Sequence, residues 1–305
     1  MKNIDYIWKE LECTEEEKEY FINRFAEMTV REHYILEGAI ETMPITTAKE
    51  LINILEQIYR FEFYFMAVDH KSLGEYIARN KRNVAEELIP FIKAEQIGKK
   101  YHDDFDGTFV EKGYVFQLNN LKQIYDGSNI DKMTADSWTV KIKVGSKSNP
   151  EGVWINLPDY ECSNDEPDEI TIALDALGTN KWSKCILLDA KCIFPNITDL
   201  SEQYDSIEDL LADANNFGYV CDEEGQGRDF FRDHLEAAME LENCTKLDFA
   251  LAISQNLDCY DFAPSEDELE EYGRNLVKKD GVAREDSAIE ENIDYVLYAK
   301  TEIEK

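Results

Sequence analysis

Apolar residues along this chain change period several times, and each change marks a candidate element. Between Glu15 and Met28, the residues Tyr20, Phe21, Phe25 and Met28 fall on one helical face. Leu51, Ile54, Leu55 and Ile58 form a second stripe, with Thr46 or Thr47 placed to cap its helix. Phe61 to Phe65 is a short strand-like run, and Ser72 opens a further helix through Ala78. Phe105 to Phe116 reads as a hairpin with Gly107 and Gly113 near its turns. The first hundred residues are therefore expected to be mostly helical.

A second pattern starts near Trp138. Thr139 to Val144 alternates as a strand, Gly145 to Gly152 is rich in turn residues, and Val153 to Leu157 alternates again. An acidic loop, a helix near Ile170–Leu177 and a strand at Cys185–Leu188 follow. Beyond Leu200 the pattern is helical once more. The expected class is α+β: an elongated chain of small mixed domains, helix-rich with short β-hairpins. The expected boundaries are a helix-rich unit at 1–120, a linker at 121–136, a small α+β unit at 137–198 and an acidic helix-rich unit at 199–305.

That last unit echoes the first. Leu51-Ile52-Asn53-Ile54, Ile58 and Phe61-Glu62-Phe63 match Ala250-Leu251-Ala252-Ile253, Leu257 and Tyr260-Asp261-Phe262 at a constant offset of 199. Leu73 and Tyr76 recur as Leu269 and Tyr272, and Ile97-Gly98-Lys99 parallels Tyr298-Ala299-Lys300. The expectation is an imperfect internal duplication.

Charge changes the picture most. The chain has 305 residues with 65 acids against 32 bases, a formal net charge of −33. Residues 1–136 carry a net of −9 and residues 137–305 a net of −24. Self-repulsion on this scale costs stability, so it calls for a function. Such a field repels nucleic acid and anionic membranes and attracts basic proteins. Direct nucleic-acid binding is not expected, and no apolar run approaches a membrane span. The cysteines Cys13, Cys162, Cys185, Cys192, Cys221, Cys244 and Cys259 are odd in number and form no CxxC. Met1 to Glu19 lacks an apolar stretch of the secretory kind. Both point to a reduced, cytoplasmic protein with mostly buried thiols.

No catalytic signature stands out in the sequence. HExxH, P-loop, G-x-S-x-G and EF-hand patterns are missing from the sequence. Gly225-Gln226-Gly227 lacks the context of a phosphate loop and reads as a turn. His33, His70, His102 and His234 have no ligand partner at metal spacing. His102, Asp103, Asp104 and Asp106 read as a solvated loop rather than a cation site. Acidic neighbours of Cys221 argue against a reactive thiolate. The expectation is a protein that is not an enzyme and needs no cofactor.

One family resembles this arrangement. Val153-Trp154-Ile155-Asn156-Leu157-Pro158 is similar to the Trp-containing strand and proline of ArdA-type antirestriction proteins. Ile186-Leu187-Leu188-Asp189 with Pro195 to Asp199, and then Tyr204 to Asn215, resemble that family's strand, acidic stretch and Leu-rich helices. Ile97-Gly98-Lys99 and Gly107-Thr108-Phe109 resemble its closing helix and hairpin. Residues 137–305 look like a module without the closing hairpin, and residues 15–118 like one without the opening α+β unit. The resemblance implies an elongated protein, from a mobile genetic element, that imitates bent duplex DNA in the groove of a type I restriction–modification enzyme. The chain departs from the pattern by its length and duplication, which leaves a monomer with pseudo-repeat or a homodimer.

Elementary electrostatics says which residues such a decoy would use. Helical positions i and i+3 or i+4 lie about 5–6 Å apart, near the spacing of successive phosphates. Asp205, Glu208, Asp209 and Asp213 keep that rhythm, as do Glu266, Asp267, Glu270 and Glu271. Asp159, Glu161, Asp165, Glu166, Asp168 and Glu169 form a loop set. Asp222-Glu223-Glu224, Glu285-Asp286 and Glu290-Glu291 complete the candidate partner-binding carboxylates. The expected partner is a basic DNA-binding protein of a restriction–modification or other defence system. The alternative is an acidic adaptor for basic DNA-processing proteins of a mobile element, which would need an apolar anchor patch with an acidic rim.

Overall fold

The computed structural model describes residues 11–133, 138–159, 169–227, 231–262, 269–279 and 292–303. It is an α+β chain with two small three-stranded antiparallel sheets. The first unit opens with α1 (Glu15–Ala26), α2 (Val30–Thr42) and α3 (Ala48–Leu55). Each starts on a threonine, Thr14, Thr29 or Thr47, that accepts the amide of a glutamate three residues on while that carboxylate returns to the threonine amide. Two orphan amides are satisfied at each start, so three short helices are sharply bounded. The second stripe was expected to run on to Ile58, but α3 stops at Leu55 and Ile58–Arg60 tightens into a 3-10 turn.

β1 (Phe61–Phe65) follows, then α4 (His70–Tyr76), which continues as a π-helical turn over Ile77–Lys81. The cap of α4 is Asp69, with Ser72 as its return partner, so Ser72 sits inside the helix rather than at its N-cap. α5 (Ala94–Phe105) leads to β2 (Thr108–Val110) and β3 (Gly113–Gln117), and β3 lies between β1 and β2. The expected hairpin is thus two strands of a sheet closed by the Phe61–Phe65 run. Phe61, Phe63 and Val115 pack on α1–α3, while Tyr64, Tyr114 and Phe116 pack on α4 and α5. Residues 121–126, placed in a linker by the sequence pattern, are bound to this unit. Asn53 Oδ1 accepts from the Ile124 and Tyr125 amides, and Gln57 bonds Lys122 through both its amide atoms.

In the second sheet β4 (Val140–Ser146) is central, flanked by β5 (Val153–Leu157) and β6 (Cys185–Cys192), with α6 (Glu169–Ala176) between β5 and β6 in sequence. β6 runs four residues past the expected Leu188. One face carries Val140, Ile142, Val144, Ile155 and Leu157 into the largest core. That core is completed by α8 (Ile207–Gly227), which the short α7 (Leu200–Gln203) precedes, and by α9 (Phe231–Leu241) and α10 (Leu247–Ser254). α11 (Leu269–Lys279) and α12 (Tyr295–Ile303) follow. No helix among the described residues is long and apolar enough to cross a membrane.

The two segments related by the offset of 199 share local geometry. α3 and α10 have the same eight-residue length, and each is followed by a 3-10 turn, Ile58–Arg60 or Leu257–Cys259. Gln57 and Asn256, at φ −132° and −129°, both send a side-chain amide back to the carbonyl four residues earlier, at 2.9 and 2.8 Å. Gly74 and Gly273 each let a second helix approach. A Cβ would lie 1.8 Å from the Ala94 carbonyl oxygen in one case and 2.1 Å from that of Tyr295 in the other.

Candidate functional site

The first unit and the second sheet meet along a charged seam. Thr29 and Trp154 form a parallel bridge, and the Trp154 indole N–H donates to the Ala26 carbonyl at 3.1 Å. Lys141 on β4 is 1% exposed, its ammonium 3.6 Å from Glu27 and about 5 Å from the rings of Trp138 and Trp154. Burial pulls the Lys141 ammonium below its ordinary pKa, and Glu27 opposes that. Arg24 and Glu32 pair at 2.8 Å nearby. Burial works against the Glu32 charge, yet the Arg24 guanidinium and the Thr29 amide hold its carboxylate below the usual range. Lys191 on β6 completes the group through Glu27.

Two of the candidate carboxylates belong to this seam. Asp159 accepts from the Glu169 and Ile170 amides at 3.2 and 3.1 Å, capping α6 from ten residues upstream, and its own amide donates to Asn215. Glu169 is pushed up to about 8, first by burial and then by the Glu32 and Asp159 charges, against the pull of Thr29 and Arg31. At neutral pH it is largely protonated. Asp159 is committed as a cap and Glu169 is largely uncharged, so neither of these two of the six acids stands as an open anion for a partner. The sequence pattern could not separate these from surface acids, because the partners lie at the start of α2 and on α8.

On α8, Glu208 and Asp209 are exposed, as is Asp205 just before the helix. Asp209 exchanges hydrogen bonds with Ser206 in the manner of a capping box. Asp213 is half-buried and accepts from the Tyr204 hydroxyl at 2.8 Å. Glu223 and Glu224 are exposed and Asp222 half-buried near the other end of the helix. At 100° per residue Asp209, Asp213, Glu223 and Glu224 share one face. About 15 Å of helix separates residues 213 and 223 with no acid on that face, so the face carries two anionic clusters rather than an even ladder. Glu271 is exposed on α11, whereas Glu270 is paired with Arg274 at 2.7 Å. Glu161, Asp165, Glu166, Asp168, Glu266, Asp267, Glu285, Asp286, Glu290 and Glu291 lie outside the described residues.

Beside the seam is a cleft of about 330 Å³, at the lower end of the range for small-ligand pockets. Met28, Val30, Val153 and Trp154 supply apolar surface. Glu37 from α2, Glu111 from the β2–β3 turn and Glu151 from the β4–β5 turn supply carboxylates. The Tyr34 hydroxyl is raised to about 12 by burial, with Glu111, Asp175 and Glu37 adding to it. Burial lowers His33 to about 4, so its ring is neutral at neutral pH. The sequence pattern did not gather these residues into a site, since they are scattered over 28–154 and meet only when the two units dock.

No group of three or more His, Cys, Asp or Glu side chains among the described residues could hold a metal ion. His70 and His102 are engaged with each other and with Phe109 in an aromatic cluster, the ring centroids 5.1–5.6 Å apart. Of the described thiols only Cys244 is buried; Cys13, Cys185, Cys192 and Cys221 are half-buried and Cys259 is exposed, so the expected burial is partial. Burial and its neighbours Cys192 and Asp222 hold the Cys221 thiol up at about 12, which blunts it as a nucleophile. Comparison with protein families, with curated proteins and with solved structures finds no match to this chain.

Proposed function

We propose that this protein is an antirestriction decoy of the ArdA type, which offers carboxylates to the DNA groove of a type I restriction–modification enzyme or a similar defence complex. It acts in the cytoplasm without a cofactor, and its partner is a basic DNA-binding protein rather than nucleic acid. The observation that carries the reading is the net charge of −24 over residues 137–305 together with the exposed carboxylates on one face of α8. Phosphate contacts supply most sequence-independent affinity for duplex DNA, so rigidly spaced carboxylates can compete for the same cations. In this proposal the matched geometries around α3 and α10 descend from a duplication, and the two copies lie end to end in an elongated chain.

Competition with duplex DNA for a type I complex, followed across a salt series, tests the function. Inhibition is expected and should weaken steeply between low and high salt. Inhibition that is independent of salt would rule out charge mimicry. Small-angle scattering tests the shape: a radius of gyration well above the roughly 19 Å of one compact 305-residue domain is expected. The acidic adaptor remains the second reading, and the cleft, with its apolar floor and carboxylate rim, is the observation that favours it.

A further inference from the structure

The cleft has one acidic wall and one mixed wall. Glu37 and Glu111 stand on the first unit, while Glu151 and Lys143 stand on the second sheet. Among the described residues no ion pair holds any of the three carboxylates. Three acids against one lysine leave an anionic mouth over an apolar floor. The Lys141, Lys143 and Lys191 ammoniums lie 5.2–5.8 Å from the Trp154 ring, so that ring already has its cations. The Tyr34 ring, stacked on Phe63 at 5.4 Å, has no cation over it among the described residues.

We propose that this cleft is a docking pocket for one arginine side chain presented by a basic protein. The methylene stem would lie on Met28, Val30 and Val153, as long cationic side chains do when the head stays polar. The guanidinium would meet the Tyr34 face, a favourable partner for a planar cation. Its five fixed donors need several acceptors at once, and carboxylates spread over two walls provide them. A lysine ammonium is a point charge and would satisfy one wall only. His33, neutral down to about pH 4, adds no opposing charge. The assignment shares with the decoy reading only the basic character of the partner, since α8 takes no part in it.

The test uses the full chain and a short blocked peptide with one arginine between apolar residues, with its lysine and citrulline counterparts. Calorimetry should show saturable binding of the arginine peptide, at least tenfold weaker binding of the isosteric but neutral citrulline peptide, and intermediate affinity for lysine. The indole N–H resonance of Trp154 should move on binding. The triple variant Glu37→Gln, Glu111→Gln, Glu151→Gln should lose at least tenfold, and Glu208→Gln with Asp209→Asn on α8 should change nothing. Equal affinity for citrulline or lysine, an unaffected triple variant, or no binding of the arginine peptide would overturn the assignment. So would an α8 variant that weakens binding as much as the triple variant, because the attraction would then come from overall charge. Loss of competition with DNA while these pocket results hold would sink the decoy reading and leave the pocket standing.

Discussion

The segments around α3 and α10 have nearly the same backbone and opposite surroundings. Both end in a 3-10 turn held by a side-chain amide, and both lead to a helix that receives a second helix at a glycine. In the first, Gln57 is fully buried and bonds the Lys122 backbone twice, and the chain passes on into a three-stranded sheet. In the second, Asn256 is exposed and bonds only within its own turn, and residues 260–262 form no strand. The comparison teaches that local geometry comes from local sequence, whereas the worth of a residue depends on what packs over it.

Four measurements test how far the two segments behave alike. The largest effect is expected from the shared glycines. Gly74→Ala and Gly273→Ala would each drive a Cβ into a backbone carbonyl, at 1.8 and 2.1 Å, so the helices must separate. Each should destabilise by about 1–3 kcal/mol or more in urea denaturation. A neutral effect at Gly273 with a large one at Gly74 would break the parallel. Next, Gln57→Ala should cost about 1–3 kcal/mol, because it removes a fully buried side chain together with both its hydrogen bonds to the Lys122 backbone. The matching Asn256→Ala, at an exposed site, should stay within about 0.5 kcal/mol. Equal costs would mean that surroundings do not set the difference.

A third test is pH, because only the first unit docks through a titrating seam. The folded pKa of Glu169 is raised from 4.5 to about 8, so its stabilisation is fully present below 4.5 and is lost as pH rises to about 8. His33 acts oppositely: lowered from 6.5 to about 4, it stabilises above 6.5 and loses that contribution as pH falls towards 4. Between 4.5 and 6.5 the two oppose each other, and from 6.5 to 8 Glu169 acts without His33. Thermal unfolding should therefore show falling stability from pH 6.5 to 8, and Glu169→Gln should flatten that fall. An unchanged slope in the variant would remove Glu169 as its cause. The smallest effect on stability is expected on α8. Neutralising Glu208, Asp209, Glu223 and Glu224 together should alter stability little, since exposed charges contribute about 0–1 kcal/mol each. The same variant should weaken competition with DNA markedly; full inhibition by it would remove α8 from the binding face.

Much of the fold was legible because it rests on short-range rules. Apolar spacing located α1, α3, β1, β4 and β5, and the offset of 199 located two turns with the same hydrogen bonds. The asymmetry of charge is a property of composition alone. The tertiary structure decided what each polar residue does. Lys141 sits in an alternating strand whose exposed face the pattern would assign to water, yet β4 is the centre of its sheet and Glu27, just past α1, meets the lysine there beside the Trp138 and Trp154 rings, so the lysine is buried. Asp159 and Glu169 read as surface anions until α2 and α8 are brought against them. The cleft unites Tyr34, Glu111 and Glu151, residues far apart along the chain. Periodicity reports one element's own faces; burial, ion pairing and pKa depend on elements that arrive from elsewhere, and only docking of the two units supplies them.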